Sequence, residues 1–285
     1  MLRTLALSLL LFCCVGFGKA QTTTVVATKD CSSGCSGATT IALSPSTTAG
    51  HSIVLSMTSD QLPVNVIGTT AGVSCGVVPM TIVASALQTS DIGGGSQNSA
   101  AIFMSQTYYN LASIGYTTMA PSESSCTINA TSTWHGQVVV YDVSGTNEVQ
   151  GLSSCFNSGS FPNTCVETTG TATTTSVTSS YTTTIANQTL IGITAGFPNT
   201  PTITGALTTT DHSTSTAVFN HGVVASAGVN SYTASWASGT SAPTQVVLGL
   251  QPATVTAPPV IFNFPTGNYH STSSLYGVPF WQLDG

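Results

Sequence analysis

The chain has 285 residues, of which 4% are charged: three Lys or Arg stand against nine Asp or Glu, a formal net charge of −6. A surface this poor in cations cannot follow phosphates, which excludes nucleic acid and anionic lipid as partners. From position 21 onward about a third of the residues are Ser or Thr; hydroxyls replace ions as the solvent-facing groups, and β-branched Thr favours strands.

Residues 1–20 read as a signal peptide. Arg3 supplies the positive end, "LALSLLLFCCVGF" is an apolar run too short to remain in a bilayer, and Gly18 and Ala20 have the small-residue spacing of a cleavage site. Gln21 is the expected mature start. The alternative, a lipoprotein attached through Cys13 or Cys14, is disfavoured by bulky Phe12. Removing the leader takes Arg3 and Lys19 with it and leaves Lys29 beside nine carboxylates. No later run of about eighteen apolar residues predicts an integral helical segment. The expected location is secreted, extracellular or at the cell surface (periplasmic export in a Gram-negative source).

Residues 21–36 are polar and predict an N-terminal arm tied down by its cysteines. Residues 37–253 predict one large β domain. Within it "HSIVLSM" alternates Ile53, Leu55 and Met57 on one face, and "AAIFMSQTYY" does the same through Phe103. "QVVVYDV", "QTLIGITAG", "TAVFNHGVVAS", "NSYTASWAS" and "TQVVLGLQP" follow, rich in Val, Ile, Thr and aromatics and separated by Gly, Pro and Asn turns. Eight to ten such strands predict an all-β fold: an antiparallel β-sandwich (jelly-roll or Ig-like), disulfide-stapled, with extended N- and C-terminal tails. Residues 254–285 form the C-terminal tail, rich in Pro and aromatics from Phe262 to Trp281. So much aromatic surface predicts docking, on the domain itself or on a partner.

Six cysteines remain after the leader: Cys31, Cys35, Cys75, Cys126, Cys155 and Cys165. An even number in an exported chain predicts three disulfides out of fifteen connectivities. Local spacing favours Cys31–Cys35 and Cys155–Cys165, with Cys75–Cys126 as the longer staple. Zinc is disfavoured, because there is no C-x-x-C and no nearby histidine pair.

The order of several segments resembles a family of exported bacterial β-sandwich domains of uncharacterised function. Gly50-His51-Ser52-Ile53-Val54-Leu55 resembles that family's "G-N-T-L-V-V" strand, and Val139-Val140-Tyr141-Asp142-Val143-Ser144-Gly145 its "V-V-E-Y-S-G" segment. Ser105-Gln106-Thr107-Tyr108-Tyr109-Asn110 is similar to its second marked strand. Ala186-Asn187-Gln188-Thr189-Leu190-Ile191-Gly192 resembles "A-N-x-L-L-I-G", and "ASAGVNSYTASW" and "LGLQPA" follow in order. The resemblance implies fold and export and carries no catalytic residues. Where those domains have a "D-x-x-G-N-x-Y" turn, this chain has "VIGTTAGVSCG".

Gly72-Val73-Ser74-Cys75-Gly76 fits G-x-S-x-G, the pattern of a hydrolase nucleophile elbow, and Asp142 or Asp211 with His212 or His221 would complete the order of a triad. An elbow needs a helix after the serine, and "VVPMTIV" is β-branched with Pro79 at its centre, so Ser74 is expected to be structural. The carboxylates Glu123, Asp142, Glu148 and Glu167 show no pairing by sequence, and without Arg nearby a glycosidase site is disfavoured. Asp142, Asn147 and Glu148 form a weak calcium candidate without the acidic spacing of a strong calcium loop; otherwise no cofactor is expected. The histidines His51, His135, His212, His221 and His270 are too scattered to form a local metal site. Tyr108, Tyr109 and Trp134 are the candidate ligand platform, since aromatic faces stack on sugars. Tyr232 and Trp236 alternate with Ala234 as core residues do. Asn129 and Asn187 head N-glycosylation sequons, relevant in a eukaryotic source. The composition therefore points to a non-catalytic structural or adhesive module whose partners are glycans or other surface proteins, with a carbohydrate-binding module and then a secreted hydrolase as alternatives.

Overall fold

The structure is a computed structural model and describes residues 21–60, 72–86, 99–108, 115–117, 122–130, 133–145, 165–169, 174–183, 186–196, 200–240, 243–250, 269–273 and 279–283. Among them every regular element is a strand and every pairing between strands is antiparallel. In chain order the first nine are β1 (Thr22–Asp30), β2 (Ala38–Ala42), β3 (Ser52–Ser59), β4 (Val73–Cys75), β5 (Val78–Ala86), β6 (Ser99–Tyr108), β7 (Gly115–Thr117), β8 (Ser125–Asn129) and β9 (Gln137–Ser144). Then come β10 (Cys165–Thr169), β11 (Thr174–Thr183), β12 (Gln188–Ala195), β13 (Thr202–Gly205), β14 (Thr209–Ser213), β15 (Ala217–Val224), β16 (Gly228–Thr240) and β17 (Thr244–Leu250). β18 (Tyr269–Ser273) and β19 (Pro279–Leu283) complete the set. Each of the seven segments quoted above holds a strand: β3, β6, β9, β12, β15, β16 and β17.

The chain divides into two compact units, Gly18–Thr254 and a second that holds Val255–Gly285. In the second, β18 and β19 form a two-stranded antiparallel sheet within the expected C-terminal tail. In the first, one sheet runs β1-β9-β3-β6-β5-β4-β8-β2, with β7 on β6; a second runs β10-β17-β12-β15-β14, and a third β11-β16-β13.

Apolar residues on successive positions of β3, β6 and β9 send side chains to opposite faces of the first sheet. Ile53, Leu55, Met57, Phe103, Val138 and Val140 join Val26, Ile41, Val73, Cys75, Cys126, Ile128 and Trp134 in one buried cluster. Their neighbours Val54, Ile102, Met104, Val139, Tyr141 and Val143 join Ile191, Ile193, Phe219, Val246, Leu248 and Leu250 of the second sheet in another. On the other face of that second sheet, Leu190, Val224 and Val247 pack with Leu207 and Tyr232. β3 and β12 are therefore buried at every position, polar ones included. Thr58 Oγ1 is satisfied by Gln137 Oε1 at 3.1 Å, which lets a polar residue sit in the core.

A buried polar chain joins the second and third sheets. Ser179 Oγ donates to Gln245 Oε1, and Gln245 Nε2 to Thr194 Oγ1 at 3.2 Å. Thr194 Oγ1 donates to the Tyr232 hydroxyl at 3.0 Å, which donates to Asn220 Oδ1 at 3.0 Å. Burial pushes the Tyr232 phenol far above its ordinary range.

The segment expected as an arm is in fact a strand: β1 pairs with β9 from Thr22–Ser144 to Asp30–Gln137. The disulfide Cys31–Cys35 closes the loop that follows. Ser32 donates to Asp30 Oδ1 through both its hydroxyl and its amide, which holds that carboxyl below its usual value. The disulfide Cys75–Cys126 joins directly opposed residues of β4 and β8. Gly76 N–H to Ser125 O and Asn129 N–H to Gly72 O mark the hydrogen-bonded pairs on either side. Cys75 and Cys126 thus occupy a non-hydrogen-bonded pair, where opposed side chains come closest. Cys155 and the side chain of Cys165 lie outside the described residues.

Candidate functional site

Three histidines of the first unit each bond an aspartate through Nδ1. His51 precedes β3 and meets Asp142 of β9 at 3.0 Å; Thr48 N–H donates to the other oxygen of that carboxylate at 3.1 Å. Beyond the opposite end of β3, Asp60 takes His135 Nδ1 at 2.7 Å and the His135 amide at 2.8 Å. The β3–β9 ladder is thus clasped at both ends. Because an ionised carboxylate only accepts, Nδ1 carries the hydrogen in each ring.

The third pair reaches across two sheets. β14 and β15 are out of register between Thr210 and His212, so Asp211 is the extra residue of a bulge. Bulges re-aim side chains. Here the Asp211 side chain, 2% exposed, accepts from His221 Nδ1 at 2.7 Å and from the Tyr141 hydroxyl of β9 at 3.1 Å. Burial, reinforced by the Asp211 charge, raises the Tyr141 phenol well above its normal range, so it stays a neutral donor. An Asp–His pair is two parts of a hydrolytic triad; the third must be a nucleophile at the far ring nitrogen.

Ser74 does not meet that pair among the described residues. It lies in β4, paired with Pro79 and Thr127, and among the described residues it bonds no histidine. Gly76 adopts φ +54° in the turn to β5, and a Cβ there would overlap the Glu123 carboxylate, whose Oε1 accepts Val77 N–H at 3.4 Å. A hairpin thus explains the glycine that completed the motif. His212 does not join Asp211 either: its ring leans on Phe219 at 6.1 Å, with Nε2 buried and unpartnered.

Trp134 is corrected as part of the ligand platform. It is fully buried, its backbone bridges Cys35 in both directions at 2.9 Å, and its ring presses on Gly136. The side chain of Tyr108 and all of Tyr109 lie outside the described residues. Both oxygens of Asp142 are engaged by His51 and Thr48, while Asn147, Glu148 and the side chain of Glu167 lie outside the described residues. Among the described residues no group of three His, Cys, Asp or Glu could hold a metal ion. Asn129 ends β8, and Asn187 sits at φ 58° in the turn before β12, a left-handed position that Asn tolerates; Thr189 of its sequon is buried.

One surface stands out, built from residues to which the sequence assigned no candidate role. On β16 the even positions Tyr232, Ala234 and Trp236 are buried and the odd ones face outward. The outward set forms rows across the third sheet: Ser176, Ser235 and Thr202; Thr178, Thr233 and Thr204; Ser180 and Ser231. Pleat geometry sets the backbone positions that carry these hydroxyls about 4.8 Å apart between strands and about 6.8 Å apart along them. Thr178 and Thr233 share a hydrogen bond of 2.9 Å, and Ser176 and Ser235 one of 3.4 Å. The grid carries neither charge nor aromatic ring.

No protein-family model, curated protein or solved structure matches this chain. The grid and the three His–Asp pairs are therefore read on their own chemistry. Hydroxyls both donate and accept, so an array of them can follow another polyhydroxylated surface without selecting its charge. The His–Asp pairs each close a ladder or join two sheets, which is a bracing geometry.

Proposed function

We propose that this chain is an exported, non-catalytic structural or adhesive β-sandwich module that works at or beyond the cell surface. The leader sequence, the disulfides and the buried cluster shared by the first two sheets support the sandwich and export parts of this reading. One observation carries the adhesive part: the hydroxyl grid of Ser176, Thr178, Ser180, Thr202, Thr204, Ser231, Thr233 and Ser235. A face without ions or rings suits neutral, hydroxyl-bearing partners, and this places neutral glycans ahead of charged proteins as the material it meets. The carbohydrate-binding alternative thereby keeps its partner class but moves from the aromatic platform to the grid.

The test replaces the central row by isosteric valine, T178V/T204V/T233V. Binding of the mature protein to immobilised neutral polysaccharides should fall by at least tenfold, with the melting temperature unchanged within a few degrees. Equal binding by variant and parent would remove the grid from the function. Silence of the parent on every neutral glycan would leave the structural reading and defeat the adhesive one.

A further inference from the structure

The expected mature start, Gln21, is held in the fold through its side chain. Its side-chain carbonyl Oε1 accepts the backbone N–H of Thr189 at 2.8 Å, and Thr189 is fully buried in β12 of the second sheet. Gln21 itself is 6% exposed. The next residue is fixed as well: Thr22 N–H donates to Ser144 Oγ at 3.2 Å, and Thr22 opens the β1–β9 ladder. The carboxamide of the first mature residue is therefore seated on a backbone donor, between a strand of one sheet and a strand of another.

We propose that Gln21 is a modification site, converted to an N-terminal pyroglutamyl lactam once the leader is removed; this rests on the export reading above. Hydrolysis of the Ala20–Gln21 bond frees an α-amine. As the free base it attacks Cδ of its own side chain and forms the N–Cδ bond of a five-membered ring. The Cδ–Nε2 bond breaks, and Nε2 leaves as ammonia with the proton that the amine gives up. No oxidant or further reactant is needed. The Thr189 N–H faces the oxygen on which charge develops during the attack, the arrangement that stabilises a tetrahedral oxyanion. The product keeps that carbonyl, so the bond to Thr189 survives. What is lost is the positive charge of the α-ammonium. The lactam also removes the free amine that an aminopeptidase requires, a benefit to an exported chain.

The experiment is mass spectrometry of the N-terminal peptide of the protein recovered from an exporting host. A peptide that begins at residue 21 and is lighter than the encoded sequence by one ammonia supports the proposal. A peptide that begins at Gln21 and keeps a free amine after prolonged incubation at neutral pH overturns it and leaves export intact. A peptide that begins elsewhere overturns the export site and the modification together. A second measurement isolates the role of Thr189. The mature chain, released from a fusion by a protease that leaves Gln21 first, should lose ammonia several-fold faster when folded than in concentrated urea. Equal or slower loss in the folded state would overturn the proposed seat.

Discussion

Asp211 shows what a single residue does in this fold. Placed as a bulge, its carboxylate accepts from two donors on different sheets, His221 and Tyr141. Asp211→Ala would remove the acceptor from both; an orphaned buried donor costs about 1–3 kcal/mol, which applies in full to Tyr141 and in part to the half-buried His221. Urea unfolding should therefore show a loss of roughly 2–4 kcal/mol for this variant; a loss under about 0.5 kcal/mol would contradict the bracing role. The buried phenols set the alkaline limit. Tyr141 and Tyr232 both hold their protons more tightly when folded than the ordinary value of 10.0. The folded state then binds more protons than the unfolded one above that value, so stability is complete below about pH 10 and falls as pH rises beyond it. Thermal melts from pH 9 to 11 should show the decline, and Y232F should weaken it; a flat profile would mean the phenols are not sealed from water. Gly136 is a third sensitive position. A Cβ there would overlap the Thr58 carbonyl oxygen and crowd the Trp134 ring. G136A should cost about 1–3 kcal/mol by overpacking, readable as a lowered urea midpoint; an unchanged midpoint would show that the Trp134 pocket yields.

At the scale of elements, the two disulfides should differ in worth. Cys75–Cys126 spans 51 residues of sequence and Cys31–Cys35 only 4. Loop-closure entropy assigns the first about 4 kcal/mol and the second about 2 kcal/mol. Denaturant titration of the C75S/C126S and C31S/C35S pairs should preserve that order, and a reversed order would indicate that β4 and β8 stay paired in the unfolded chain. The strands themselves were unequally legible. β3, β9, β12 and β17 carry Val and Ile beside clear turn residues, and sequence pattern locates them directly. β1, "TTTVVATKD", and β11, "TTSVTSSYTT", carry so much Thr and Ser that strand and solvated arm read alike. Pairing decides between those readings, and pairing is a tertiary property. The same holds for the site. Sequence offered His212 and His221 equally to Asp211, and the bulge chose His221. Asp142 was read in the strand "QVVVYDV" and as a weak calcium candidate; it lies in β9, and its partner His51 comes from a segment some ninety positions earlier, which no local pattern reveals.

For the whole of the first unit, the middle strands are covered on both faces, which explains how Ser56, Thr58, Thr189 and Thr194 come to be buried in a chain so rich in hydroxyls. A two-faced core cannot be read from alternation, because both sets of side chains point inward. The outer surface of the third sheet faces solvent, and there alternation is clean and Ser and Thr hold the outward positions. The reading of the molecule as an adhesive module depends on that face meeting a neutral, hydroxyl-bearing partner. Hydrogen–deuterium exchange of the mature protein, with and without such a polysaccharide, tests this most directly. The account predicts slowed exchange confined to β11, β16 and β13; slowing elsewhere, or none at saturating polysaccharide, would contradict it.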